Sequence, residues 1–282
     1  MIKSNKTDLF QRPNDSYTTD KLQLGIGQKV KVVGELAANG KDYYYVYTYP
    51  EVDQFRNNGY STKADYRKQK WMFVEKGKVK STLVTANQLV EIGYKNATTA
   101  MVNALNKTLF EFSITTPERI RQFLAQCFVE TGQATLGGPF LTEISWVFPI
   151  VQSYEEWYFD TKTDYGYKYR GGGYIHLTWN GINPKDGKLY DTYQQFSNYI
   201  GDPNVVSQGA DYLASTPELS WRSAGWFWSP EYKNVNSVIT KNDCNLAEGK
   251  LLVETVTRKV QGWNSALTER KAAYEEAWRV IK

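Results

Sequence analysis

The chain has 282 residues, long enough for one large domain or two modest ones. Its 41% hydrophobic and 23% charged content are those of a globular protein, and a net charge of +4 is too weak to argue for nucleic-acid binding. No run of 18 apolar residues offers a membrane span, and a single histidine, His176, excludes a histidine-based metal cluster. Cys127 and Cys244 are too few for a disulfide scaffold and read as free thiols. No phosphate-binding loop, dinucleotide glycine pattern or G-x-S-x-G elbow occurs. Aromatics are abundant at 15%, with 21 Tyr and 9 Trp, which suits sugar-stacking surfaces and cores equally.

Residues 1–20 are polar and interrupted by Pro13, Asn14 and Asp15, the pattern of an extended arm. Residues 21–80 change to strand formers: Gln28 to Val33 alternates and Tyr43 to Tyr47 is aromatic, with Ala38 to Lys41 as the turn between. A polar insertion, Asp53 to Gln69, precedes a further strand at Trp71–Val74 and a turn at Glu75–Lys78. Short strands and tight turns over some 60 residues suggest a small β-barrel.

From residue 84 helical periodicity dominates. It predicts helices over Ala86–Gly93, Thr98–Phe110, Pro117–Gly132, Tyr190–Ile200, Trp221–Trp228 and Leu267–Ile281, separated by Gly- and aromatic-rich loops at Gly132–Pro139 and Asp164–Trp179. The fold class is therefore α+β in two domains. The third helix is the most informative. Thr116-Pro117 is an N-cap followed by proline at the first helical position. Ile120, Phe123, Leu124, Cys127 and Phe128 form an apolar stripe. Glu130 lies in the last turn at the edge of that stripe, where the helix dipole and partial burial both disfavour a negative charge. Such a carboxyl suits a proton donor for glycoside hydrolysis, although a helix-terminal glutamate of no consequence fits the same position.

Four stretches, in order, resemble the family 19 glycoside hydrolases, whose domain is chitinase-like with a lysozyme fold, and their phage endolysin relatives. FLAQCFVETG (123–132) resembles FLAQ-x-x-HE-S/T-G around the catalytic acid. YGYKYRGGGYIHLTWNGIN (165–183) resembles YKYRGRGYIQLTG-x-x-N. FSNYIGDPNVV with LSWRSAGWFW (196–228) and VTRKVQGWNSALTERKAAY (256–274) follow, the latter like VT-x-x-ING-x-x-NGL-x-x-R-x-x-x-Y. The likeness covers nearly all of 84–282. It implies a mainly α-helical catalytic domain with Glu130 as general acid. It also implies Glu143 as the second carboxylate, with Glu155, Glu156 and Asp160 as competitors, and Thr178 as the hydroxyl that holds the attacking water. His176, Tyr174, Trp179 and Gln261 would bind substrate, and Arg270 would be a buried arginine orienting carboxylates. Residues 21–80 resemble a bacterial SH3-like module that docks on cell wall, or a β-domain that only braces the catalytic part.

Four cleft positions depart from the pattern: Val129 for histidine, Gly172 for arginine, His176 for glutamine and Gln261 for asparagine. They imply an altered substrate preference. The resulting expectation is a peptidoglycan hydrolase of the endolysin type, a muramidase without metal or cofactor, whose partner is bacterial peptidoglycan. The N-terminus lacks a secretory h-region, so wall access would come through lysis, a phage tail or dedicated export machinery. The alternatives are a chitinase using the same residues and a non-catalytic glycan-binding or phage-tail protein.

Overall fold

The computed structural model describes residues 7–8, 23–24, 30–38, 40–48, 71–79, 82–95, 97–132, 168–182 and 188–282. The chain divides into two compact units, Met1–Leu83 and Val84–Lys282.

In the first unit β3 (Val30–Ala38), β4 (Lys41–Thr48) and β5 (Trp71–Glu75) form an antiparallel sheet in the order β3-β4-β5. Ala38 pairs with Lys41 across the hairpin, and Gly40 takes a positive φ of 73°, the left-handed conformation that tight hairpin turns use. The ladder shifts register between Val32 and Gly34, and Tyr45 stacks on its cross-strand partner Phe73 with centroids 4.8 Å apart. Part of the stretch read as an extended arm is paired: β1 (Thr7–Asp8) runs antiparallel to β2 (Gln23–Leu24). The polar insertion of Asp53 to Gln69 lies outside the described residues.

The second unit is helical, with α1 (Ala86–Ile92), α2 (Thr99–Glu111), α3 (Pro117–Glu130), α4 (Thr192–Ile200), α5 (Asn204–Gln208), α6 (Ala210–Ala214), α7 (Pro217–Trp228), α8 (Leu246–Gln261) and α9 (Leu267–Val280). A two-residue pair, β6 (Gly181–Ile182) with β7 (Leu189–Tyr190), precedes α4. The capping chemistry is local. Thr85, Thr98, Thr116 and Thr216 each accept from the backbone N–H three residues on, and Thr85 completes a capping box with Gln88. The helix α8, absent from the sequence-based expectation, starts from Asn245 in the same manner.

The central helix α3 differs from a one-sided amphipathic helix. Its apolar stripe is buried, but so are Glu118, Arg121, Gln122 and Gln126. The cause is that α8 and α9 cover the polar side with hydrogen-bonding groups. Glu118 is fully enclosed and accepts from Gln122 Nε2 and Tyr274 Oη, each at 2.8 Å, with the Arg121 guanidinium 3.6 Å away. Arg121 also donates through Nε and NH2 to the Ile281 carbonyl, which fixes the chain after α9. Ala125, Val253, Ala273 and Tyr274 form the apolar contact among the three helices, with Val129 packed against it. The Tyr274 ring packs directly against Gly249, where a Cβ would lie 1.7 Å from Tyr274 Oη. Cys127 and Cys244 are both free and buried.

Candidate active site

Glu130 is the last residue of α3, and α8 and α9 bring two donors to it from far along the chain. Gln261, the last residue of α8, donates Nε2 to Glu130 Oε1 at 2.8 Å. Arg270, in the first turns of α9, donates NH2 to the same oxygen at 2.7 Å. The Arg270 side chain is 2% exposed and the Glu130 side chain 16%, so the pair is shielded on the arginine side and partly open on the carboxylate side. Arg270 also donates NH1 to Gln126 Oε1 at 2.5 Å and Nε to the Ser265 carbonyl at 3.2 Å. Gln126 in turn donates to Thr257 Oγ1 at 3.1 Å, and Ser265 Oγ to Gln261 Oε1 at 2.6 Å.

Both donors on Glu130, a buried guanidinium and an amide N–H, meet Oε1, and neither is evident from spacing. Among the described residues Oε2 carries no partner and is the oxygen left to meet a ligand.

The segment 168–182 forms a tight hairpin. Gly172 and Leu177 exchange backbone hydrogen bonds at 3.1 and 2.8 Å, and Trp179 N donates to the Tyr169 carbonyl at 3.0 Å. His176 and Trp179 adopt positive φ of 47° and 80°, and both are partly exposed. Non-glycine residues in this region carry a backbone cost that neighbouring structure must sustain. Thr178 is partly exposed, and its hydroxyl donates to the His176 carbonyl at 2.5 Å.

Tyr174, expected to bind substrate, is 3% exposed and stacked on Trp221 with centroids 3.5 Å apart at 10°. Burial pushes its hydroxyl well above the usual tyrosine range. A ring so covered offers no face to a sugar, and its place is in the core between α3 and α7. The glycines are likewise packed against protein. A Cβ on Gly172 would lie 3.1 Å from Ala210 Cα, and one on Gly173 (φ 71°) 2.6 Å from Ser223 Oγ. A side chain at position 172 would press on Tyr193 Oη and Ala210 and require them to shift. Val129, where the resembled pattern has histidine, packs toward α8 and α9.

Glu143, Glu155, Glu156 and Asp160 lie outside the described residues, as does the Gly-rich loop after Gly132. Ser265 and Gln126 were not singled out from the sequence. Ser265 is four residues after Gln261, but a serine in a polar loop gives no sign of the contact until the loop is folded. Among the described residues no group of His, Cys, Asp or Glu is arranged to hold a metal ion, and no helix is long and apolar enough to cross a membrane.

No family model matches the chain. Among solved structures it is similar to chitinase C from Streptomyces griseus HUT6037, at 15% identity and a TM-score of 0.46 over 90% of this chain and 94% of that one. A substituted form of chitinase C aligns at 17% identity and a TM-score of 0.39, over 84% and 95% of the two chains. A bacterial family 19 chitinase aligns at 16% identity and 0.39, over 64% and 95%.

Proposed function

We propose that the second unit is a glycosidase that cleaves β-1,4 bonds of bacterial cell-wall glycan, as an endolysin-type muramidase. The observation that carries this reading is the setting of Glu130: Oε1 accepts from Arg270 and Gln261, while Oε2 has no partner among the described residues and the side chain is partly exposed. Such a carboxyl is held in one orientation with one oxygen left to meet a substrate.

In this mechanism Glu130 Oε2 protonates the leaving oxygen. The carboxylate left behind is stabilised at Oε1 by the two donors already in place, so no reorganisation accompanies the step. Glu143 serves as the base or charge stabiliser and Thr178 orients the water. With the two carboxyls roughly 6.5–9.5 Å apart, water attacks from the opposite face and the product is inverted. His176, Trp179 and Gln261 line the sugar path, and the N-terminal unit acts as an SH3-like wall-docking module. The wall is reached after lysis, by carriage on a phage tail or through an export machine.

Parallel assays on purified peptidoglycan and on chitin oligomers test the substrate. Reducing-end release from peptidoglycan alone supports the muramidase reading, whereas release from chitin oligomers alone moves the same residues to a chitinase. Wall binding without release from either would leave a glycan-binding protein.

A further inference from the structure

Both groups that grip Glu130 Oε1 are themselves held by one residue in the loop between α8 and α9. Ser265 Oγ donates to Gln261 Oε1 at 2.6 Å, and the Ser265 carbonyl accepts from Arg270 Nε at 3.2 Å. The first contact anchors one end of a carboxamide whose two ends are unlike. With the serine hydroxyl on Oε1, the Nε2 end remains for Glu130, which it meets at 2.8 Å. Turned over, the amide would set its oxygen against Glu130 Oε1, acceptor against acceptor, so Glu130 selects which end it meets and Ser265 holds the amide there. The second contact fixes the guanidinium plane. Nε is on Ser265, NH1 on Gln126 and NH2 on Glu130, so three separated acceptors leave the group one orientation.

The loop is tied down before it reaches the serine. Gly262 N donates to the Arg258 carbonyl at 2.8 Å, and Asn264 accepts from Arg258 Nε at 3.2 Å while donating to Glu254 Oε1 at 3.0 Å. On the other side Ala266 holds a left-handed conformation, φ 47°, and its carbonyl accepts from Arg270 N at 3.0 Å. A non-glycine residue in that region marks a place where surrounding contacts outweigh backbone preference.

We infer that Ser265 is a positioning residue: through its hydroxyl it holds the Gln261 amide with Nε2 toward Glu130, and through its carbonyl it sets the plane of Arg270, so that both donate to Glu130 Oε1. The catalytic consequence rests on the proposed role of Glu130 as proton donor; the positioning itself does not.

The test compares full-length wild type with Ser265→Ala, Ser265→Thr, Gln261→Ala and the Ser265→Ala/Gln261→Ala pair. In 15N-labelled protein, the heteronuclear NOE of the Gln261 side-chain nitrogen should match that of the ordered backbone in wild type and Ser265→Thr. It should fall by about half in Ser265→Ala. On purified peptidoglycan, Ser265→Ala should lower kcat by about tenfold with KM changed less than about twofold, and Ser265→Thr should restore most of it. In the Gln261→Ala background the serine substitution should cost less than about twofold, because the amide it orients is gone. An unchanged NOE in Ser265→Ala, or a full tenfold loss in the Gln261→Ala background, overturns the inference. If wild type cleaves neither peptidoglycan nor chitin oligomers, the proton-donor reading fails, and the NOE comparison still decides whether Ser265 positions the amide.

Discussion

Arg270→Lys keeps the positive charge and removes the planar fork, which isolates what the fork contributes. In wild type the guanidinium serves three acceptors: Glu130 Oε1, Gln126 Oε1 and the Ser265 carbonyl. An ammonium is a single point of donation at the end of a flexible stem and cannot span all three. One or two buried acceptors therefore lose their donor, each at about 1–3 kcal/mol. Glu130 is 16% exposed, so water offsets part of its loss and the expected total is about 2–4 kcal/mol. For a unit of this size that is roughly 5–15 °C in Tm. Arg270→Leu also removes the charge and should cost more, about 3–5 kcal/mol, because a largely buried carboxylate loses its counter-ion. Urea unfolding of the three proteins, followed by tryptophan fluorescence, measures both. A change below about 0.5 kcal/mol for either variant, the scale of an exposed ion pair, would refute the reasoning.

Other substitutions follow from the same packing. In Gly249→Ala the new methyl would lie 1.7 Å from Tyr274 Oη and 2.2 Å from Cζ, so the whole ring must move and its hydroxyl leaves Glu118. Overpacking and the lost charge-assisted bond, less alanine's helix preference, give a destabilisation of about 2–5 kcal/mol; a stabilised variant in denaturant titration would contradict it. Ala266→Gly relieves a left-handed alanine and should stabilise by about 0.5–1 kcal/mol after the entropy of glycine is counted; a loss above about 1 kcal/mol would mean the strain is not there. Burial raises the Cys127 thiol well above its usual 9.0, with the Glu130 charge adding to it, and raises Cys244 to about 11. The folded chain thus keeps protons that the unfolded chain releases, so stability is full below pH 9.0 and declines as pH rises toward about 11. Denaturant midpoints at about pH 7.5, 9 and 10.5 should hold and then fall, and a rise would contradict the assignment.

Much of the architecture is legible in sequence because its signals are local. Thr116-Pro117 and the stripe from Ile120 to Phe128 mark α3, and the turn signal from Ala38 to Lys41 separates two strand-rich runs. The polar side of α3 is not legible, because nothing in the periodicity tells that Gln122 and Gln126 face buried partners on α8 and α9. The helix α8 is masked by its own composition: Val253, Thr255, Val256, Thr257 and Val260 are β-branched, and Gly249 interrupts it, while its Asn245 cap is the signal that could have found it. Gln261 and Arg270 stand 131 and 140 residues from Glu130, so their convergence is invisible to spacing and entered only through the motif resemblance. Tyr174, Gly172 and Gly173 share that motif, yet the folded chain spends them on packing, since a motif records position and not which face meets the core.

The most direct test of the central claim is mass spectrometry of purified peptidoglycan digested with wild type and with Glu130→Gln. Reducing-end muramic acid released by wild type, and reduced about a hundredfold or more in the variant, is the expected result for a muramidase whose acid is Glu130. Peptide cleavage products, or equal release by both proteins, would contradict it.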